Sequence, residues 1–311
     1  MWHTDRIGFS NLTNRRGFCR LLLALAAVVV PAPPGRAQPA SSDQTEIGVL
    51  FRGDDMGSTH AANLACIQAY REGVLRSVEV MVPGPWFPEA VRLLGENPEL
   101  DVGVHLTLTS EWDNLKWRPL TWAPTLTDEN GYFPPLIFAN PQRPGVRSLQ
   151  GASWSPRELE GELRAQISLA RRLIPRISHL SDHMVIGALG PEVASVLQRL
   201  ADEFGLLLDL RPFDVKPLSW GDPHRTPEEK IESLVAVLER LTPGSYLMID
   251  HPGLDTFEMQ AIHHPGYEDV ALDRAGVTAA WTSAEVKEVI TRRHIRLLSY
   301  ADLRHSKTVK R

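Results

Sequence analysis

The chain has 311 residues, 43% of them hydrophobic and 23% charged, with a formal net charge of −5. That is the composition of an ordinary globular protein with room for one large α/β domain or two small ones. The first 37 residues hold five arginines and one aspartate, leaving an acidic remainder of 28 Lys and Arg against 37 Asp and Glu without a basic run, which argues against nucleic acid or an anionic membrane surface as partner.

Residues 1–37 read as an export signal to be set aside from the fold. Arg15-Arg16-Gly17-Phe18 precedes an apolar run, Leu21 to Val30, that is too short to span a bilayer, and Gly35-Arg36-Ala37 supplies a small-residue end. The paired arginines resemble the twin-arginine export address of bacteria, with an ordinary secretory signal or an uncleaved anchor as alternatives. The expected location is therefore periplasmic or secreted, with no stable membrane insertion after signal removal. Cys66 then remains alone, so the mature chain has no intrachain disulfide, and its helical neighbours Leu64, Ile67 and Tyr70 make it a core residue. Residues 38–46 are a polar, flexible lead-in.

The apolar run Ile47, Val49, Leu50, Phe51 stops at Asp54-Asp55, where a strand would rarely end for packing reasons. Successive side chains of a strand face opposite ways, so two such carboxylates can serve different tasks. The alternative is a turn in which Asp55 or Ser58 caps the following helix. That helix is predicted over 58–72, stopped by Gly73, followed by a strand over 74–82, a short helix over 88–94 and a strand over 101–109. A long loop rich in proline and aromatics covers 110–152. Ser155-Pro156-Arg157-Glu158 is a capping box, and Leu159, Leu163, Ile167, Ala170 and Ile174 recur behind it at helical spacing.

The second half repeats the alternation. It reads as a strand over 176–180, a helix over 191–204 stopped at Gly205, a strand over 206–210, a helix over 226–241 and a strand over 246–250. An irregular stretch over 252–280, a helix capped at Thr282 and a strand over 295–300 follow. About seven βα units without a break in composition predict an α/β fold: a single (β/α) barrel, TIM-like with room for distortion, over 47–303, with a tail at 304–311.

Asp54, Asp55, His105, His183, Arg211 and His251 all fall at or just past the carboxyl ends of different predicted strands, the face on which a barrel builds its site. One Asp and two His from this set would make an open site suited to a catalytic divalent ion. Arg211 can hold a substrate hydroxyl or carboxylate, fix Asp54, or form a plain loop salt bridge. In the long loop, Trp112, Trp117, Trp122, Tyr132 and Phe133 offer faces for sugar rings, or else pack the loop on itself. His263-His264 reads as an exposed loop pair.

Four ordered motifs carry a resemblance: Asp54-Asp55-Met56-Gly57, Val102-Gly103-Val104-His105-Leu106, His179-Leu180-Ser181-Asp182-His183 and His251-Pro252-Gly253. They resemble those of the YdjC-like carbohydrate deacetylases, a family that includes chitooligosaccharide and hopanoid-related deacetylases and is similar in architecture to the wider polysaccharide deacetylases. The resemblance implies that Asp55, His105 and His183 bind one divalent cation, magnesium or zinc, and that Asp54 is the catalytic base. There are departures. Arg52-Gly53 stands where the family usually has Asn-Ala, Met56 stands for Phe, and the histidine pair encloses Ser181-Asp182 where Asp-Ser or Asp-Gly is usual.

Hydrolysis of an N-acetyl amide needs a polarised carbonyl, a base for water and an acid for the departing amine. His251 is the candidate acid, its alternative being to hold the Pro252-Gly253 turn. Arg211 and Trp112 are the candidate substrate contacts. The implied partner is a small-molecule or oligosaccharide substrate, and the oligomeric state is left open. Two other readings stand: a different metal-dependent hydrolase on the same barrel, and a non-catalytic periplasmic carbohydrate-binding protein with a structural metal. A second carboxylate beside the ligand, Asp54, speaks for catalysis.

Overall fold

The computed structural model describes residues 46–221 and 226–309. The export signal read over 1–37 lies outside the described residues. The sheet is organised on β1 (Ile47–Met56), which runs parallel to β6 (Gly244–Asp250) along one edge. Its other edge is shared by β7 (Arg296–Leu298), against residues 48–50, and β2 (Ser77–Val80), from Arg52 onward. With β3 (Asp101–Leu106), β4 (His179–Asp182) and β5 (Val215–Leu218), the order is β4-β3-β2-β1-β6-β5, all parallel. Backbone bonds between Leu180 and Leu207 and between Leu207 and Ser178 extend it past β4. The result is a curled parallel half-barrel surrounded by helices, a distorted form of the barrel that the sequence predicts.

The helices among the described residues are α1 (His60–Arg71), α2 (Phe87–Gly95), α3 (Pro156–Leu173), α4 (Pro191–Phe204), α5 (Pro227–Glu239), α6 (Phe257–Gln260), α7 (Val270–Thr282), α8 (Ala284–Arg292) and α9 (Tyr300–Val309). Their ends follow local chemistry. Thr59, rather than Asp55 or Ser58, caps α1 by accepting the Ala62 N–H; Thr226 and Glu229 make a reciprocal capping box; Gly205, at φ +64°, ends α4 in the left-handed region.

The two faces of the sheet are filled differently. Val49, Phe51, Val78, Val80, Val102, Val104 and Leu106 point outward into one large core with Leu163, Ile167, Leu234, Val277 and Trp281 of the helices. Burying each such side chain contributes roughly 1.5–3 kcal/mol. On the inner face a small cluster, Leu50, Leu298, Tyr300 and Leu303, closes one end. Beyond it the inward positions of β1 to β4 turn polar at the two-residue strand period: Arg52 and Asp54, Ser77 and Glu79, Asp101 and His105, His179 and Ser181. That polar interior positions the site.

Several predicted elements are corrected. The strand read over 206–210 is a single bridge at Leu207, and the next strand is β5, because Pro212 sits in a 3-10 turn that ends at left-handed Asp214. The stretch over 252–280, read as irregular, contains α6 and most of α7, which runs on through Thr282, so the next helix is capped by Ser283 rather than Thr282. α7 is buried on most sides and Gly276 lies hard against the Lys230 side chain, so it lacks the one-sided pattern that marks a surface helix. The tail at 304–311 is helical as far as Val309. The long loop buries Trp112, Trp117, Leu126, Phe133 and Ile137, which join the one large core.

Candidate metal centre

The end of β1 does not follow simple strand alternation. Its register against β2 slips between Gly53 and Met56, and Asp55 takes φ +66°. This bulge turns both carboxylates inward, so that His105 Nε2 lies 3.8 Å from Asp54 Oδ2 and 3.6 Å from Asp55 Oδ1. His105 comes from β3. His183 follows β4, and its Nδ1 is 3.4 Å from Asp55 Oδ1 and 3.3 Å from His105 Nε2. Directly after it, Met184 and Val185 are left-handed at φ 54° and 56°, a conformation costly for a β-branched residue and of the kind that collects at functional sites.

Asp55, His105 and His183 thus offer three ligand atoms within 4.8 Å of one another, all buried. Asp55 Oδ2 accepts from Arg274 Nη2 at 2.9 Å, whereas Oδ1 is buried and, among the described residues, accepts no hydrogen bond. An orphaned carboxylate oxygen facing two imidazole nitrogens is a poor protein interior and a good cation cradle. Two nitrogens and one oxygen with open positions fit a divalent ion.

The surroundings set the charges. Burial, together with the neighbouring His183, keeps the His105 pKa well below its ordinary value. Burial works the same way on His183, but Glu111, with Oε2 at 3.0 Å from His183 Nε2, and Asp55 outweigh it and push its pKa up to about 10. Asp55 sits well below the usual carboxylate range because His251 and Arg274 overcome its burial. Asp54 is raised by burial against the pull of Arg52, which holds both its oxygens at 2.8 Å. His251 is raised, since Asp55 and then Asp250 outweigh burial; its Nε2 faces Asp55 Oδ2 at 3.8 Å.

The structure therefore brings Asp54, Asp55, His105, His183 and His251 together. It does not bring Arg211, whose side chain is 91% exposed and paired with Asp209 at 2.9 Å. The guanidinium at the centre belongs to Arg274 of α7. Trp112 is only 3% exposed: Arg274 lies over its ring at 5.2 Å and His264 stacks on it at 5.5 Å, so it buttresses Arg274 and has no open face for a sugar. Of the five loop aromatics, Trp122 is the one left open, at 90%. His263 and His264 are not an exposed pair, because His264 is buried in that stack.

Three site residues escape sequence reading. Glu111 lies six residues beyond His105 in an otherwise hydroxyl and apolar stretch, a signal that was available. Glu79 is the one charge in β2, again visible as an anomaly in a strand. Arg274 was hidden with the helix that carries it.

A curled parallel half-barrel that gathers one carboxylate and two imidazoles past the carboxyl ends of its strands defines a class: distorted (β/α) barrel proteins with a candidate metal site at that face. Within that class, this chain belongs to the YdjC-like protein family, whose profile matches residues 48–292. It is 34% identical over 236 residues to the carbohydrate deacetylase of Thermus thermophilus, covering 69% of this chain and 80% of the relative. It is 28% identical over 267 residues to carbohydrate deacetylase 2 of Listeria innocua, covering 82% of this chain and 98% of the relative. Among solved structures it is similar to an Enterococcus faecalis protein described as a cellobiose-phosphate cleavage protein, with TM-score 0.65 and 25% identity over 83% of this chain and 99% of the other.

Proposed function

We propose that this chain is a metal-dependent carbohydrate deacetylase that hydrolyses the acetamide of an N-acetylated sugar to acetate and the free amine. The observation that carries the reading is the convergence of Asp55 Oδ1, His105 Nε2 and His183 Nδ1 between two further titratable groups, Asp54 and His251. The names of the Thermus and Listeria relatives support the substrate class. The donor set favours zinc over magnesium, since imidazole nitrogen suits zinc and magnesium prefers oxygen.

A divalent ion held by Asp55, His105 and His183 would supply Lewis-acid polarisation of the acetamide carbonyl and lower the pKa of water. Asp54 takes one proton from the attacking water. Its raised pKa suits that task, and Arg52 fixes the plane of the carboxylate while each oxygen keeps a further lone pair. The water oxygen joins the carbonyl carbon, the C–N bond breaks, and His251 gives its proton to the departing nitrogen. Asp250 holds His251 from behind: its Oδ1 accepts the His251 backbone N–H at 2.7 Å and faces Nδ1 at 3.5 Å. Arg274 takes the second oxygen of Asp55 and leaves Oδ1 alone directed at the imidazoles.

The test is acetate release from a panel of N-acetylated oligosaccharides by zinc-loaded protein, with the Asp54→Asn variant alongside. The expected result is turnover by the parent and a loss of about 10²–10⁴-fold in the variant at near-normal metal content. No release from any acetylated sugar would overturn the substrate class, and release undiminished in Asp54→Asn would overturn the base.

A further inference from the structure

β4 presents His179 and Ser181 inward by the strand period, with His183 directly after them, and turns Asp182 the other way, where Oδ2 accepts the Gly187 N–H at 2.7 Å. Asp182 is therefore not the group that supports His105. Ser181 is: its Oγ lies 2.8 Å from His105 Nδ1. The Ser181 hydroxyl donates in turn to Glu79 Oε2 at 2.5 Å.

Glu79 stands on β2, two strands away from β4, and reaches across because the strand between them is bare at that point. The ladder pairs Glu79 with Gly103 and Gly103 with His179, and a Cβ at position 103 would run into Glu79 Oε2 and His179 Nε2. The other Glu79 oxygen is held by His179 Nε2, whose ring stacks on Tyr300 at 3.7 Å; Arg52 Nε stands 3.8 Å away. Glu79 is fully buried. Taking a carboxyl group so far from water is costly unless its partners use it, and packing alone does not require one there.

We propose that Glu79 is a positioning residue of the metal centre, acting through Ser181 to fix the tautomer and orientation of His105. A serine has one hydroxyl proton. Because Glu79 accepts it, Ser181 Oγ can only accept toward His105, so the proton of that imidazole sits on Nδ1 and the Nε2 lone pair points at Asp55 Oδ1. The carboxyl support for the ligand thus comes from β2, relayed by a hydroxyl, in a chain where Ser181 precedes Asp182. Such outer partners typically contribute about 10–100-fold to metal affinity. The proposal rests on the reading of Asp55, His105 and His183 as ligands.

The experiment is zinc titration of the full chain by calorimetry with a competing chelator, comparing the parent with Glu79→Gln, Ser181→Ala and the double variant Glu79→Ser with Ser181→Asp. The amide of Glu79→Gln keeps the shape of the carboxyl group but can present a donor to Ser181 and release its hydroxyl toward His105. Both single variants are expected to bind zinc about 10–100-fold more weakly. The double variant, which moves the carboxylate directly beneath His105, is expected to recover most of the loss. In the metal-free protein the ¹⁵N shifts of the His105 ring should report the Nδ1–H tautomer in the parent and a mixture in Glu79→Gln. If Glu79→Gln fails to melt cooperatively, Ser181→Ala, which leaves the Glu79–His179 contact in place, carries the test. Parental affinity in folded Ser181→Ala, or no recovery in a folded double variant, overturns the role of Glu79. A parent that binds no zinc overturns the ligand set instead.

Discussion

Glu111 Oε2 lies 3.0 Å from His183 Nε2, on the side of the ring away from Asp55. Between them these two carboxylates keep His183 protonated in the metal-free protein up to a pKa of about 10. A cation taken at Nδ1 must displace that proton. Zinc binding by the parent should therefore tighten as pH rises from 7 to 9, by up to roughly tenfold per unit if one proton is released. Removing the Glu111 charge lowers the His183 pKa, so Glu111→Gln should bind with a shallower pH dependence and release fewer protons near pH 8. Calorimetry in buffers of different ionisation enthalpy counts them; a flat profile in the parent would contradict the assignment of Nδ1.

Two glycines should respond to alanine with opposite signs. Gly103 is crossed by the Glu79–His179 contact, and Gly103→Ala forces overpacking in a buried layer, at a cost of about 1–3 kcal/mol or more. Gly161 is an interior residue of α3 with nothing within 4 Å of the place a Cβ would take, so Gly161→Ala should stabilise by roughly 0.5–1 kcal/mol. Thermal melts of the two variants beside the parent decide both; a neutral Gly103→Ala would mean that the inner layer can relax around a methyl group.

The parts of this fold that were legible in the sequence are those with local causes. Caps at Ser155 and Thr226 and the stop at Gly205 set their helices where the residues say, and the Asp54-Asp55 pair at the end of a strand marks the centre. Residues whose role depends on distant partners were not legible. Arg274 sits on a helix apolar on nearly every side, and its target, Asp55, lies 219 positions earlier. Arg211 has the right chemistry at the right kind of boundary, yet it opens a 3-10 turn with its side chain in solvent and Asp209 pairs with it locally. Strand alternation also misled at the aspartates, since only a bulge with Asp55 left-handed lets both face the same imidazole.

Location is a separate proposal, drawn from Arg15-Arg16-Gly17-Phe18 and the apolar run behind it. If the arginine pair is read by the twin-arginine export route, Arg15→Lys with Arg16→Lys should leave unprocessed precursor inside the cell. Normal appearance of the double variant outside the cytoplasm, followed by fractionation and immunoblotting, would assign the chain to an ordinary secretory route.

The last prediction concerns the acid. His251 must carry a proton to deliver it, so the rate should fall as pH rises through its pKa. Asp250 helps to hold that pKa up, and Asp250 itself is held below the ordinary carboxylate value because His251, Lys230 and Trp220 outweigh its burial. Asp250→Asn removes the negative charge 3.5 Å from His251 Nδ1 while keeping an oxygen for the backbone N–H. The sign follows directly: without the charge the protonated ring is less favoured, its pKa drops, and the alkaline limb of kcat moves to lower pH, with KM little changed. This direction holds whatever occupies the centre, because the charge removed lies on the side of the ring away from Asp55. A pH–rate profile of Asp250→Asn beside His251→Ala provides the check. An unshifted alkaline limb in Asp250→Asn, or a limb that persists in His251→Ala, would remove His251 from the role of acid and leave it to hold the Pro252-Gly253 turn.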